Sequence, residues 1–198
     1  KMNSKSLQAR FAALWAAIIF TGAAQAHWSL DNDASSLSFV TVKAEHVAEV
    51  HTFDSLSGTI GDDGNVEITI ELASVNTMIP IRNERIQEML FETNLFPDGT
   101  ITGSINLDAL TDMEAGASVA RQIDFELSLH GQSVALVADV QITRTGEGVI
   151  VSTLKPLIVM ADSFSLTAGV EKLREVAGLP SISRAVPVSF TVVFEQGH

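Results

Sequence analysis

The chain of 198 residues has no cysteine and no tyrosine, and only 12 lysines and arginines stand against 24 aspartates and glutamates. Without cysteine there are no disulfides, thiol nucleophiles or cysteine metal sites. The shortage of cations makes the surface acidic, with a formal net charge of −12. Such a field repels nucleic acid and anionic lipid headgroups, so neither is an expected partner. Long apolar runs are also missing. "FAALWAAIIF" at 11–20 is too short to span a bilayer, and no later stretch is longer, so stable membrane insertion is not expected. No GxSxG elbow and no phosphate-binding glycine loop occurs, which removes two common routes to catalysis.

The apolar run has a use other than spanning. "KMNSKSLQAR" carries Lys1, Lys5 and Arg10 and no acid, "FAALWAAIIF" follows, and "TGAAQA" ends in the small-x-small pattern Ala24-Gln25-Ala26. That order is the three-part grammar of a signal peptide. Residues 1–26 are therefore expected to be cleaved before His27 and the protein to be periplasmic. Removing Lys1, Lys5 and Arg10 takes the formal charge from −12 to about −15. The remaining stretch, 27–198, has the length of one domain with room for a core or for a core with a cavity in it.

What is present is alternation with period two. "NVEITIEL" sets Val66, Ile68, Ile70 and Leu72 against Glu67, Thr69 and Glu71, and "IDFELSL" sets Ile123, Phe125, Leu127 and Leu129 against Asp124, Glu126 and Ser128. "VALVADVQI" and "VPVSFTVVF" repeat the pattern, and turn signals separate the runs at "GDDGN", "HGQS" and "TGEG". Such runs are half-buried antiparallel strands joined by hairpins. About eight are expected, near 36–43, 47–60, 65–73, 100–107, 120–129, 134–143, 149–160 and 186–195. The fold class is all-β. An eight-stranded up-and-down barrel leaves no open edge and can hold a small ligand; a filled sandwich is the rival with the same pattern.

Two helical stretches interrupt the strands. "GVEKLREVAGL", 169–179, ends at Gly178 and Pro180. "IPIRNERIQEMLF", 79–91, places Ile79, Ile86, Met89 and Leu90 on one stripe, with Arg82 inside the stripe and Glu84 and Glu88 opposite it. A guanidinium on a greasy face either meets the polar head of a ligand or pairs with one of the many acids. Arg85, nearer the border, has the weaker claim. The phenylalanines, among them Phe39, Phe53, Phe91, Phe96, Phe125, Phe164 and Phe190, fit a wall for a hydrocarbon chain or an ordinary core. In "HVAEVH", Glu49 and His51 share a strand face and His46 takes the other. The three do not converge as metal ligands, although Glu49 and His51 could form an acid–base pair. His130, in "LHGQ", is expected at a hairpin tip, facing solvent or bonded to the turn.

"WSLDNDASSLSFVTVKAEHV", "FDSLSGTI", "ASVNT", "IRNERIQEMLFETNLFP", "LSLHGQSVALVADV" and "ADSFSLTAGV", in this order, resemble the YceI family of exported lipocalin-like proteins, and the likeness spans 28–195. The resemblance implies an extended barrel, a periplasmic home, a long isoprenoid or other amphiphile in the interior and no established enzymatic activity. The family's histidine after Lys43 is absent, and His51 stands where a glycine precedes Phe53, so no role is carried over for either. The expected ligand wall is Phe39, Phe53, Arg82, Ile86, Met89, Leu90, Phe96, Phe125, Leu127, Leu129, Phe164 and Phe190. The leading expectation is a carrier of an isoprenoid lipid such as a polyprenyl quinone or its precursor, with no catalytic residue, no metal and no cofactor beyond the bound lipid. A homodimer is compatible with it. The alternatives are a fatty acid or fatty amide binder, a lipid-modifying enzyme using Glu49 and His51, and a filled barrel serving protein interaction or stress protection.

Overall fold

A computed structural model describes residues 28–197; the expected signal peptide lies outside them. Twelve strands appear in chain order: β1 Trp28–Leu30, β2 Ser36–Lys43, β3 Val47–Phe53, β4 Leu56–Ile60, β5 Asn65–Glu71, β6 Val75–Asn76, β7 Asp98–Ser104, β8 Ser118–Leu129, β9 Gln132–Arg144, β10 Gly148–Thr153, β11 Leu157–Met160 and β12 Ala185–Gln196. They make eight antiparallel staves, because four pairs are single strands with a break. β1 and β2 both lie along β12, as do β10 and β11. β3 and β4 continue one another beside β2 and β1, and β6 extends β5 along β3. The ring β1-β4-β5-β7-β8-β9-β10-β12 closes through the pairing of β12 with β1. This is the closed eight-stranded barrel, not the stacked sandwich.

The breaks have a local chemical cause. Asn32, between β1 and β2, donates from Nδ2 to the Asp54 carbonyl and accepts the Leu56 amide on Oδ1 at 2.7 Å. One side chain thus satisfies the backbone where the neighbouring stave is also interrupted. The lower end is sealed by Trp28, 2 % exposed, with the Arg144 guanidinium 5.1 Å from its ring centroid.

At the upper end helical segments cover the barrel interior. α1, Pro80–Arg85, starts at Pro80 with Thr77 and Asn83 locked together: the Thr77 amide and hydroxyl both donate to Asn83 Oδ1, at 2.9 and 2.5 Å. It continues as a π turn, Ile86–Phe91, which ends at Glu92 in left-handed conformation. α3, Thr167–Val176, packs on the π turn, whereas α2, Leu107–Thr111, lies at the other end and is capped by Asn106 Oδ1 accepting the Ala109 amide. α2 stands where a strand had been expected to run to residue 107. Gly169 of α3 sits so close to that turn that a Cβ there would lie 2.7 Å from the Met89 carbonyl oxygen and 2.8 Å from Leu90 Cα. No helix among the described residues is long and apolar enough to cross a membrane.

Candidate functional site: a two-lobed tunnel

The inward rows of the strands enclose two cavities that share a waist of Leu37, Ile70, Ile101, Phe125 and Phe190. The upper lobe, about 370 Å³, lies beneath α1, the π turn and α3; the lower, about 620 Å³, lies towards β1 and α2. Both fall within the usual range for ligand sites. Ile79 and Ile81 are exposed to solvent and also line the upper lobe, so they mark its mouth.

Of the expected wall residues, Phe39, Phe53, Arg82, Ile86, Leu90, Phe125, Leu127, Leu129 and Phe190 line the upper lobe. Three do not line either lobe. Met89 is turned away because the π turn makes about 4.4 residues per turn and rotates the stripe off its 3.6-residue course. Phe96 lies against His130, ring centroids 4.5 Å apart. Phe164, 1 % exposed, is solid core in the short turn before α3. His130 is at the β8–β9 hairpin tip, as expected, but its Nε2 lies 2.9 Å from Glu92 Oε2 instead of facing solvent or bonding the turn.

A polar cluster is built by β2, β3 and α1. Thr41 and Lys43 follow Phe39 on the inner face of β2, and Glu49 and His51 precede Phe53 on β3; all four line the upper lobe. Glu49 Oε2 receives Lys43 Nζ at 2.7 Å and Arg82 Nη1 at 2.6 Å, and Arg82 Nη2 donates to the Thr77 carbonyl at 2.6 Å. Two groups of this cluster have no partner among the described residues, Arg82 Nε and His51 Nδ1, both buried; the third such atom, His130 Nδ1, belongs to neither lobe. His51 Nε2 lies 2.9 Å from the Thr41 hydroxyl. When that hydroxyl donates, the imidazole proton sits on Nδ1, and two residues of the upper lobe each hold one N–H donor without a protein acceptor.

Electrostatics bears on the acid–base alternative. The hydrogen bond from Lys43, with help from Arg82, holds the Glu49 carboxyl below its ordinary value against the opposing effect of burial. A carboxylate so occupied is a weak base, and it stands 4.0 Å from His51 Nε2. Burial, and then the charge of Arg82, holds the His51 imidazole below its ordinary 6.5. Below about pH 6.5 the unfolded chain therefore takes up a proton that the folded chain refuses, so stability is complete above that pH and falls on acidification. Wild-type protein should lose melting temperature as pH falls below about 6.5, and His51→Gln should flatten that part of the curve. Glu49 enters only below its unfolded value of 4.5. Parallel curves for the two proteins would show that His51 is not the group responsible.

Period two could have found this cluster. If Phe39 and Phe53 face inward, then so do Thr41, Lys43, Glu49 and His51. Phe91 and Arg85, both on the upper wall, and most of the lower lobe were not in the expected set.

The geometry defines a closed lipocalin-like barrel with a mainly apolar interior. Within that class the chain belongs to the YceI-like family, whose domain matches residues 28–194. A structure described as a polyisoprenoid binding domain from Saccharophagus degradans, implicated in plant cell wall breakdown, is 37 % identical with a TM-score of 0.85, covering 87 % of this chain and 99 % of its own. Burkholderia cenocepacia BcnA shares the fold at 18 % identity and a TM-score of 0.63, over 83 % of this chain and 98 % of its own. The Campylobacter jejuni YCEI protein does so at 18 % and 0.54, over 75 % and 84 %. Comparison with curated protein sequences gives no match.

Proposed function

We propose that the protein is a periplasmic carrier of a long-chain isoprenoid lipid, with a neutral, oxygen-bearing headgroup such as a quinone at Arg82 and His51. The observation that carries the reading is the tunnel itself, walled mainly by apolar side chains. A half-buried cluster of Lys43, Glu49 and Arg82 lies beside His51 in the upper lobe, while Arg121, Gln122 and Asp124 of the lower lobe are exposed to solvent. Each methylene buried there contributes about 0.8 kcal/mol, so a prenyl tail can bind tightly after its ordering cost is met. The Saccharophagus relative, described as polyisoprenoid-binding, supports the same ligand class. The three-part pattern in residues 1–26 supports export.

The charges favour a neutral headgroup over a fatty acid. Lys43 and Arg82 already share Glu49, and an incoming carboxylate would have to lie beside that anion. Carbonyl oxygens need only the two free donors. Enzymatic use of Glu49 and His51 is the weaker reading for the reason given above.

Protein purified from the periplasm should carry a prenyl lipid, read as a mass excess by native mass spectrometry and identified after organic extraction. Protein that is ligand-free on isolation and does not take up added prenyl quinone would refute the carrier.

A further inference from the structure

Resting on the isoprenoid reading, we infer that the tunnel has a second opening in its side wall, between the free edge of β8 and α2. The lipid tail runs past the waist, beside Gly103, and out through this opening.

The side opening follows from pairing. β9 pairs with the whole of β8, but β7 pairs only with Phe125–Ser128. Chain direction explains this, because β7 ends at Ser104 and the backbone turns away into α2. The edge Ser118–Asp124 therefore has no strand on its far side, and Asn106, Ala109, Leu110 and Met113 line the same lower lobe. On this stretch successive residues line the lobe: Arg121, Gln122, Ile123 and Asp124. A strand inside a closed wall shows a cavity only alternate side chains; one that shows both faces borders a gap. Arg121, Gln122 and Asp124 are also exposed to solvent, so the gap leads outside.

Gly103 supplies the second observation. It lies on the inner row of β7 with Ile101 and lines the lower lobe. Its φ is not positive, and an added Cβ would find nothing nearer than the Asp124 carbonyl oxygen at 3.5 Å. Neither backbone conformation nor close packing calls for glycine there, yet glycine weakens a strand interior. What it provides is space in the lower lobe, at the passage from the waist. With that space and an open side, the barrel places no upper limit on tail length.

The test uses geranyl, geranylgeranyl and solanesyl benzoquinones with wild type, Gly103→Ala and Gly103→Phe. Wild-type affinity should rise from geranyl to geranylgeranyl and hold for solanesyl. Gly103→Ala should match it. Gly103→Phe should keep geranyl and lose about tenfold or more on the two longer chains. Solanesyl binding weaker than geranylgeranyl in wild type would mean a closed end and overturn the inference, as would Gly103→Phe that keeps the long chains. Because the bulky variant can misfold, a second readout uses wild type alone, with a diazirine at the tail end of geranylgeranyl benzoquinone. Cross-links to residues 105–124 support the path, and cross-links to 79–91 overturn it. Wild type that binds none of the three quinones overturns the isoprenoid reading and this path with it; binding with the wrong length dependence overturns the path alone.

Discussion

Gly169→Leu should cost the fold about 2–4 kcal/mol and empty the tunnel. A side chain there meets backbone, the Met89 carbonyl and Leu90 Cα, so no rotamer can relieve the clash and α3 must move off the π turn. For a domain of this size the loss lowers the melting temperature by roughly 5–15 °C. Leu90 and Phe91 from the turn, with Val170 and Leu173 from α3, wall the same lobe, so parting the two helices opens the lid. Gly99→Ala is the control: it lines the same lobe, and its added Cβ has ordinary contacts of 3.5 Å or more. It should be close to neutral. Melting curves and extraction of retained lipid from both variants read the result. A Gly169→Leu protein with wild-type stability and cargo would show that the two helices do not need their close approach.

Arg82→Met should weaken a prenyl quinone by about 1.5–3 kcal/mol, the range for a hydrogen bond from a charged donor, which is roughly ten- to 150-fold in Kd. Methionine keeps the helix and fills similar volume. The loss of stability should be small, about 1 kcal/mol, because Glu49 retains Lys43 and only the Thr77 carbonyl is left without its donor. A headless prenyl hydrocarbon should bind both proteins alike. If quinone affinity is unchanged while stability falls, Arg82 serves Glu49 and Thr77 and no headgroup.

These two expectations differ in how far the sequence could have led to them. Arg82 was legible, because a cation on an apolar stripe stands out against its neighbours at 3.6-residue spacing. The clash at Gly169 was not, since it depends on where a distant π turn comes to rest. The same divide runs through the fold. All eight staves can be read from alternation and turn residues, because burial of one face imposes period two on each strand by itself. The breaks at 31–35 and 54–55 cannot, because Asn32 bridges two staves whose adjacency is a tertiary fact. α2 left a readable trace in Asn106 as its cap, although the apolar residues at 101–107 pointed to a continued strand. Met89 was misplaced by a single change of helical pitch. The lower lobe was hidden for another reason: a void is a property of facing rows, and no row announces the glycine that keeps it open.

β12 has a consequence in time as well as in space. Residues 185–196 pair with β1, β2, β10 and β11, so β12, the last strand among the described residues, is the seam that closes the ring. Until it emerges, each of those four strands has an edge with nothing to bond to, and the nascent chain has no closed barrel in which to settle. Closure is then one late, cooperative event. For the export proposed above, this order keeps the chain unlocked until β12 has crossed the membrane. The same order carries a hazard: a product cut short before β12 is a curved sheet with adhesive borders, matter for aggregation or proteolysis and not for cargo.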